Sequence, residues 1–198
     1  MSDNERRART HQLDLKGKKV DARVRKTRDA LGDALVALMQ ERPFDSITVQ
    51  DVLDRANVGR STFYTHYSDK DDLLMSDADE FFEAMSMALS VHGDTTERVF
   101  PVREFFNHLI DAQQFVVALR TSGKLHANLE LARGHFARGI ERRMNELPKG
   151  ESIPAHQRAA LAFAHAGALL SLMQWWIDHG MKESAEEMDK LFHKLVWG

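Results

Sequence analysis

The sequence predicts an all-α protein, and three observations carry that expectation. Apolar residues recur at helical spacing through most of its 198 residues. No stretch alternates apolar and polar as a half-buried strand would. Proline, glycine and capping residues punctuate the chain at intervals that suit helices.

Residues 1–20 are polar and nearly without apolar periodicity, so they read as a flexible basic arm. From Asp21 to Glu41 the apolar residues Val24, Leu31, Ala34, Leu35 and Leu38 lie on one helical face, and Pro43 ends that helix. Asp45-Ser46-Ile47-Thr48 opens a second, short helix reaching about Ala56. Thr48 is its N-cap, and Asp51, three residues on, favours the free N–H groups of the first turn. Asn57-Val58-Gly59-Arg60 is a turn, because Asn and Gly tolerate left-handed backbone. A third helix runs from Ser61 to Tyr67, and Ser68-Asp69 caps a fourth, from Lys70 to about Val91. Downstream, a helix starts at Pro101, is broken near Asp111–Gln114 and ends at Thr121-Ser122-Gly123. A long amphipathic helix runs from Lys124 to about Leu147, and Pro148-Lys149-Gly150 closes it. Residues 154–179 form a strongly apolar helix stopped by Gly180, and 184–196 form the last. There is no internal repeat.

The chain has no cysteine. Disulfides, thiolate metal sites and cysteine nucleophiles are therefore excluded together. No apolar run approaches the roughly 20 residues of a membrane span. The start, Met-Ser-Asp-Asn-Glu-Arg-Arg, is followed by no apolar stretch of signal-peptide type. The expectation is a soluble, cytoplasmic protein with no membrane partner. The net charge of -3 conceals an asymmetry: residues 1–28 carry ten basic and four acidic side chains, a local net of +6, and the other 170 residues carry -9. A basic end on an acidic body can address a polyanion from one side; a solvated tail is the alternative.

Function is most legible in residues 48–67. Val49, Val52, Leu53 and Ala56 share one face, and Val58, Phe63 and Tyr67 close a small core over Leu31, Leu35 and Leu38. Two short helices about a four-residue turn make a helix-turn-helix, whose second helix can lie in a DNA major groove. Arg60, Ser61, Thr62, Tyr64, Thr65 and His66 then face outward, all able to donate a hydrogen bond and none acidic. Both tyrosines of the chain fall here: Tyr67 is expected in the core and Tyr64 at the surface.

The runs Ile47-Thr48-Val49-Gln50-Asp51-Val52-Leu53, Ala56-Asn57-Val58-Gly59-Arg60-Ser61-Thr62-Phe63-Tyr64-Thr65-His66-Tyr67 and Asp69-Lys70-Asp71-Asp72-Leu73-Leu74 resemble the DNA-binding domain of TetR-family regulators. The resemblance covers about residues 22–75. It implies three domains: a basic arm at 1–20, a three-helix helix-turn-helix domain at 21–75, and a larger helical effector-binding and dimerisation domain at 76–198. It further implies that Thr48 touches a phosphate, that Gln50, Arg60 and Ser61 reach bases with Thr62 and Thr65 nearby, and that Tyr64, His66 and Lys70 grip phosphates. The implied partners are a near-palindromic double-stranded operator, a second copy of the chain and a small-molecule effector.

In the C-terminal two-thirds the resemblance is weaker. Phe82, Met85, Phe105, His108, Phe115, Phe136, Phe163 and His165 are the candidates to line an effector pocket. Ordinary core packing is the alternative for each. His126, Glu130 and His135 do not share a tight metal-binding spacing, so neither metal nor cofactor is expected. The small residues of helix 154–179 permit close helix approach and, with the final helix, a four-helix dimer seam. No nucleophile–base pair or phosphate loop supports an enzyme. The expected function is a repressor released from its operator by an effector. The alternatives are an activator of the same family and an architectural DNA-binding protein without an effector.

Overall fold

The computed structural model describes residues 3–198, with side chains from Ala22 onward. The expected flexible arm at 1–20 falls on residues whose side chains lie outside that description; the backbone from Asp3 is part of the first helix. All regular elements among the described residues are helical. The chain divides into two compact units, Met1–Leu74 and Met75–Gly198.

The first unit holds α1 (Asp3–Glu41), a 3-10 turn (Phe44–Ser46), α2 (Val49–Ala56), α3 (Arg60–His66) and the start of α4 (Lys70–Val91). Leu31, Leu35, Leu38 and Met39 of α1 are buried with Phe44, Ile47, Val52, Leu53, Phe63 and Tyr67. Of the small core that the apolar spacing predicts, Val49, Ala56 and Val58 are only half-buried, and Met39, Phe44 and Ile47 join it. Asn57 adopts the left-handed conformation (φ 53°, ψ 46°) expected of the turn. Gly59 does not: it is extended, with φ -72°, and serves as the N-cap of α3.

The second unit contains the rest of α4, then α5 (Val102–Asp111), α6 (Gln113–Thr121), α7 (Leu125–Glu146), a one-turn α8 (Pro148–Glu151), α9 (Ala155–Asp178) and α10 (Ala185–Trp197). The break foreseen near 111–114 occurs at Ala112. The one turn of α8 was not foreseen. There Gly150 passes so close to α7 that a Cβ on it would lie 1.8 Å from the carbonyl oxygen of Met144. Only glycine permits that approach.

An aromatic cluster fills the core of this unit. The Phe136 ring lies 4.4 Å from that of Phe100, 5.1 Å from Phe105 and 5.6 Å from Phe82, and Phe106 packs edge-on to Trp176 at 4.8 Å. Such offset and edge-to-face contacts are the favoured aromatic geometries. Arg143, buried on α7, donates to the carbonyls of Asp94, Thr96 and Arg98 and to Glu146. It thereby supplies the hydrogen bonds that the irregular segment between α4 and α5 cannot make within a helix.

The chemistry of α9 departs from the sequence expectation that no apolar run nears membrane-span length. By length and composition this helix is long and apolar enough to cross a membrane, with only 33% of its most apolar stretch buried. Ala162, Ala166, Leu169, Leu170, Met173 and Trp176 form its buried stripe, while Leu161, Phe163 and Trp175 remain exposed. Small alanines between the larger residues had made the run look less continuous than its mean hydropathy is.

Candidate nucleic-acid interface

The two short helices of the first unit are fixed by different means. Thr48 caps α2 with a full capping box: its hydroxyl oxygen accepts from the Asp51 N–H at 3.2 Å, and the Asp51 carboxylate accepts from the Thr48 N–H at 2.7 Å. The Thr48 hydroxyl and N–H, together with Arg42, push the Asp51 carboxyl down to about 2. Bidentate bonds of 2.9 and 2.7 Å from Arg55 to Glu41 tie the end of α2 back to α1. In contrast, α3 has no side-chain cap, and its only buried residue is Phe63. That ring, fully buried, anchors the helix.

With Phe63 inward, Arg60, Ser61, Thr62, Tyr64 and Thr65 of α3 are exposed, and His66 is half-buried. No acidic side chain interrupts this face. The two tyrosines separate as expected: Tyr64 is 51% exposed and Tyr67 is 5% exposed. The Tyr67 hydroxyl accepts from Arg28 Nε at 3.0 Å, and the Arg28 guanidinium lies 5.9 Å from the Tyr67 ring centroid. Arg60 extends over the Tyr64 ring at the same distance, which steers the guanidinium across the exposed face.

Besides Thr48, three more predicted contact residues already have partners. Thr65 donates back to the Ser61 carbonyl at 2.9 Å, and Gln50 Nε2 donates to Asp54 at 2.7 Å. That bond uses one of the two N–H donors of the Gln50 amide. Lys70 has two such bonds. It is half-buried, and its ammonium donates to the carbonyls of Phe44 and Ile47, each at 2.7 Å. Thr48 and Gln50 are exposed on α2, whereas Lys70 is turned onto the protein itself.

The residues expected to line an effector pocket are dispersed in the second unit. Phe105 and Phe136 are wholly enclosed in the aromatic core, with Phe82 packed against it and Phe115 half-buried on α6. Phe163 is 57% exposed on α9. The reason is rotational: α9 is apolar nearly all round, so the residue's chemistry did not disclose its side. His108 is covered on one ring face by Phe81 at 4.4 Å, although the residue as a whole is exposed; burial lowers its pKa, against the pull of Asp111. His165 is half-buried beside Phe192, and burial lowers its pKa as well. A narrow apolar opening of about 20 Å3 lies elsewhere, lined by Val116, Leu125, Leu129, Met173 and Ile177 with Arg120, Gln174 and Asp178. Among the described residues no cluster of His, Asp and Glu could hold a metal ion.

Sequence reasoning missed Arg28, Arg42 and Arg55 as supports of the interface. Their partners lie 39, 9 and 14 positions away in the chain, beyond any local spacing rule.

Comparison with known proteins agrees with this geometry. Residues 31–76 match the family of bacterial regulatory proteins described as the tetR family, and residues 102–198 match a transcriptional regulator C-terminal region. An uncharacterized HTH-type transcriptional regulator, YxbF of Bacillus subtilis (strain 168), is 39% identical over 62 residues, which are 31% of this chain and 16% of that protein. The match therefore spans about a sixth of that relative's length. A solved TetR transcriptional regulator from Streptococcus agalactiae 2603V superposes with a TM-score of 0.60 at 26% identity, covering 91% of this chain and 98% of the other. The fatty acid degradation regulator FadR from Bacillus halodurans has a TM-score of 0.60 at 18% identity over 87% of this chain and 95% of its own, a likeness of fold.

Proposed function

Because this chain belongs to the tetR family of bacterial transcriptional regulators and is a DNA-binding protein, we propose that it is a homodimeric repressor that reads a near-palindromic operator through α3. The observation that carries this reading is the outward face of α3: five exposed side chains able to donate hydrogen bonds, no carboxylate, and a single buried anchor, Phe63. Arg60 is the base reader, since a guanidinium pairs bidentately with guanine. Ser61, Thr62 and Thr65 complete the base-facing set with Gln50. Tyr64, His66 and Thr48 give hydrogen bonds to phosphates, which position without specifying.

One α3 spans too few base pairs to specify a useful site, so two copies are needed at fixed separation. Exposed Leu161, Phe163 and Trp175 of α9 and Leu191 and Leu195 of α10 support a second copy as the occupant of that face. The same occupant accounts for a helix of membrane-span hydropathy in a DNA-reading protein, which works in the compartment that holds its DNA, here the cytoplasm.

Release by a small molecule is the remaining part of the proposal, and the apolar opening between α6, α7 and α9 supports it. Its 20 Å3 is room for about one water. A pocket for a drug-sized ligand is on the order of 300 Å3 or more. An effector therefore acts by parting these helices, and its leverage is its preference for the parted state.

Selection from random duplexes tests the reading. The expected product is a near-palindrome with half-sites about one helical turn, roughly 34–36 Å, apart. Light scattering should give a dimer at micromolar concentration. An unenriched pool or a monomer would contradict it.

A further inference from the structure

One side of α10 holds the connector between α4 and α5, and the start of α5, by the main chain. Asp189, His193 and Trp197 follow one another at intervals of four, so they form a single stripe along the helix. The Asp189 carboxylate accepts from the Arg103 N–H at 3.1 Å, and His193 Nε2 accepts from the Val99 N–H at 3.1 Å. Trp197 Nε1 donates to the Glu97 carbonyl at 2.9 Å. We propose that His193 is a proton-operated latch on this stripe: the neutral ring holds the connector to α10, and a second proton on the ring releases it and weakens association with a second copy. The inference rests on the reading of α9 and α10 as the face that a second copy covers.

The bonds fix where the one proton of the ring sits. Nδ1 lies 2.8 Å from the Asp189 carbonyl oxygen, which can only accept, so Nδ1 carries hydrogen. Nε2 faces an amide N–H, which can only donate, so Nε2 is bare. A second proton turns Nε2 into a donor aimed at a donor, and the ring must leave Val99. Val99 is 1% exposed, so the N–H it leaves behind is buried without an acceptor.

The same surroundings also favour the second proton. Asp189 Oδ2 lies 3.4 Å from Nδ1, and a charged ring pairs with a carboxylate more strongly than a neutral one. The ring thus stands between an amide that requires its neutral form and a carboxylate that favours its charged form. Arg98 of the connector competes for Asp189 at 3.0 Å and pairs with Glu104 of α5 as well. Arg143 of α7 joins this network through the Arg98 carbonyl, with Asp94 at 3.6 Å from Arg143. On the α9 side the His165 ring stands 6.5 Å from that of Phe192, the chain neighbour of His193. Lys190 and Lys194 of α10 are exposed.

The Ser184–Glu187 capping box fixes the start of α10, whereas His193 and Trp197 hold its second half. That half presents the exposed Leu195, with Leu191 one turn before it. Releasing Val99 therefore loosens the part of α10 that a second copy would cover.

Full-length wild type, His193→Gln and His193→Phe are compared at pH 8 and pH 5, the span over which histidine changes charge. The glutamine amide oxygen can accept from Val99 and takes no proton in this span. Magnetic resonance on nitrogen-labelled protein reads the ring's protonation, the coupling across the Val99–His193 hydrogen bond and the Val99 exchange protection, corrected for the intrinsic rate. Sedimentation reads dimer affinity. Wild type at pH 8 should carry hydrogen on Nδ1 alone, with a measurable coupling. At pH 5 the coupling should vanish and Val99 protection fall by about tenfold, the size of one lost hydrogen bond. Dimer affinity should fall by about fivefold or more. His193→Gln should keep both at pH 5, and His193→Phe should show the loosened values already at pH 8. Should His193→Phe fail to fold, wild type against His193→Gln carries the comparison.

A ring that stays singly protonated at pH 5 with its coupling intact would overturn the proposal, as would an equal loss of protection in His193→Gln. A dimer affinity that falls alike in wild type and His193→Gln would sever the latch from the seam and overturn it too. A wild type that is monomeric at both pH values would contradict the seam itself; the coupling and the protection would still decide whether the latch opens.

Discussion

The unit that carries α2 and α3 and the unit that carries α5 to α10 have similar interiors and opposite exteriors. Both bury leucines and aromatic rings. On the first, the exposed side chains of the functional helix are hydroxyls and a guanidinium, with no carboxylate among them. On the second, Phe163, Trp175, Leu191 and Leu195 are exposed. A polar face without acid suits a polyanion, and an apolar face suits another protein surface. The polar bonds differ too. In the first unit two bonds of α2 are local, Thr48 with Asp51 and Gln50 with Asp54, while Arg55 to Glu41 and Arg28 to Tyr67 join separate elements. The second unit has a local capping box as well, Ser184 with Glu187, but its longest bonds reach further, Arg143 to residues 94–98 and Asp189 to Arg98 and the Arg103 N–H. Burial would raise the Asp189 carboxyl, but His193, Arg98 and the Arg103 N–H outweigh it and hold it below the usual range.

If long-range polar bonds organise the second unit, removing Arg143 should have the largest effect. Arg143→Met leaves three backbone carbonyls without their donor and should cost roughly 3–5 kcal/mol. Chemical denaturation measures it, and a change below about 1 kcal/mol would show that water replaces the guanidinium at little cost.

The apolar exterior is tested next. Leu191→Glu with Leu195→Glu places two charges on the exposed face of α10 without touching its buried Met188 and Phe192. Dimer association should weaken by tenfold or more, on the order of 1.4 kcal/mol, with helicity unchanged. Sedimentation across a concentration series reads it; an unaltered dimer would place the seam elsewhere.

Tyr67→Phe removes the acceptor of the Arg28 bond in the first unit and leaves the ring. It should cost roughly 0.5–1.5 kcal/mol, the net value of one hydrogen bond. A change of that size in the denaturation midpoint, with DNA selectivity kept, is the expected result.

The smallest effect is on pH dependence. Burial lowers the pKa of His165 and of His108. Each therefore favours the neutral ring in the folded state, and its contribution is intact above the unfolded value of about 6.5. Below that pH the unfolded chain binds the extra proton, so stability falls as pH drops from about 6.5 toward the folded pKa. Melting temperatures between pH 7.5 and 5.5 should decline, and less steeply in His165→Gln. An equal decline in the variant would remove His165 from the account.

How much of this was legible in the sequence follows the same division. The bounds of α2, the capping box at Thr48, the break at Ala112 and the separation of Tyr64 from Tyr67 were all readable, because each depends on residues within a turn or two of one another. In α9, leucine, phenylalanine and tryptophan occur on all sides, so no periodicity distinguished buried Trp176 from exposed Trp175 and Phe163. The partner of Lys70 lay 23 and 26 residues away, in a turn with no apolar pattern of its own. The resemblance implies a phosphate contact for Lys70, and no local spacing could disclose the two carbonyls as well.

The central claim, that the exposed face of α3 reads base sequence, is tested most directly by comparing the base-by-base preferences of wild type and Arg60→Ala on every single-base variant of the enriched duplex. The account predicts a loss of roughly 1–3 kcal/mol of discrimination at one position in each half-site, symmetrically placed, with preferences elsewhere preserved. An Arg60→Ala profile that matches the wild type at every position, whatever its overall affinity, would contradict it.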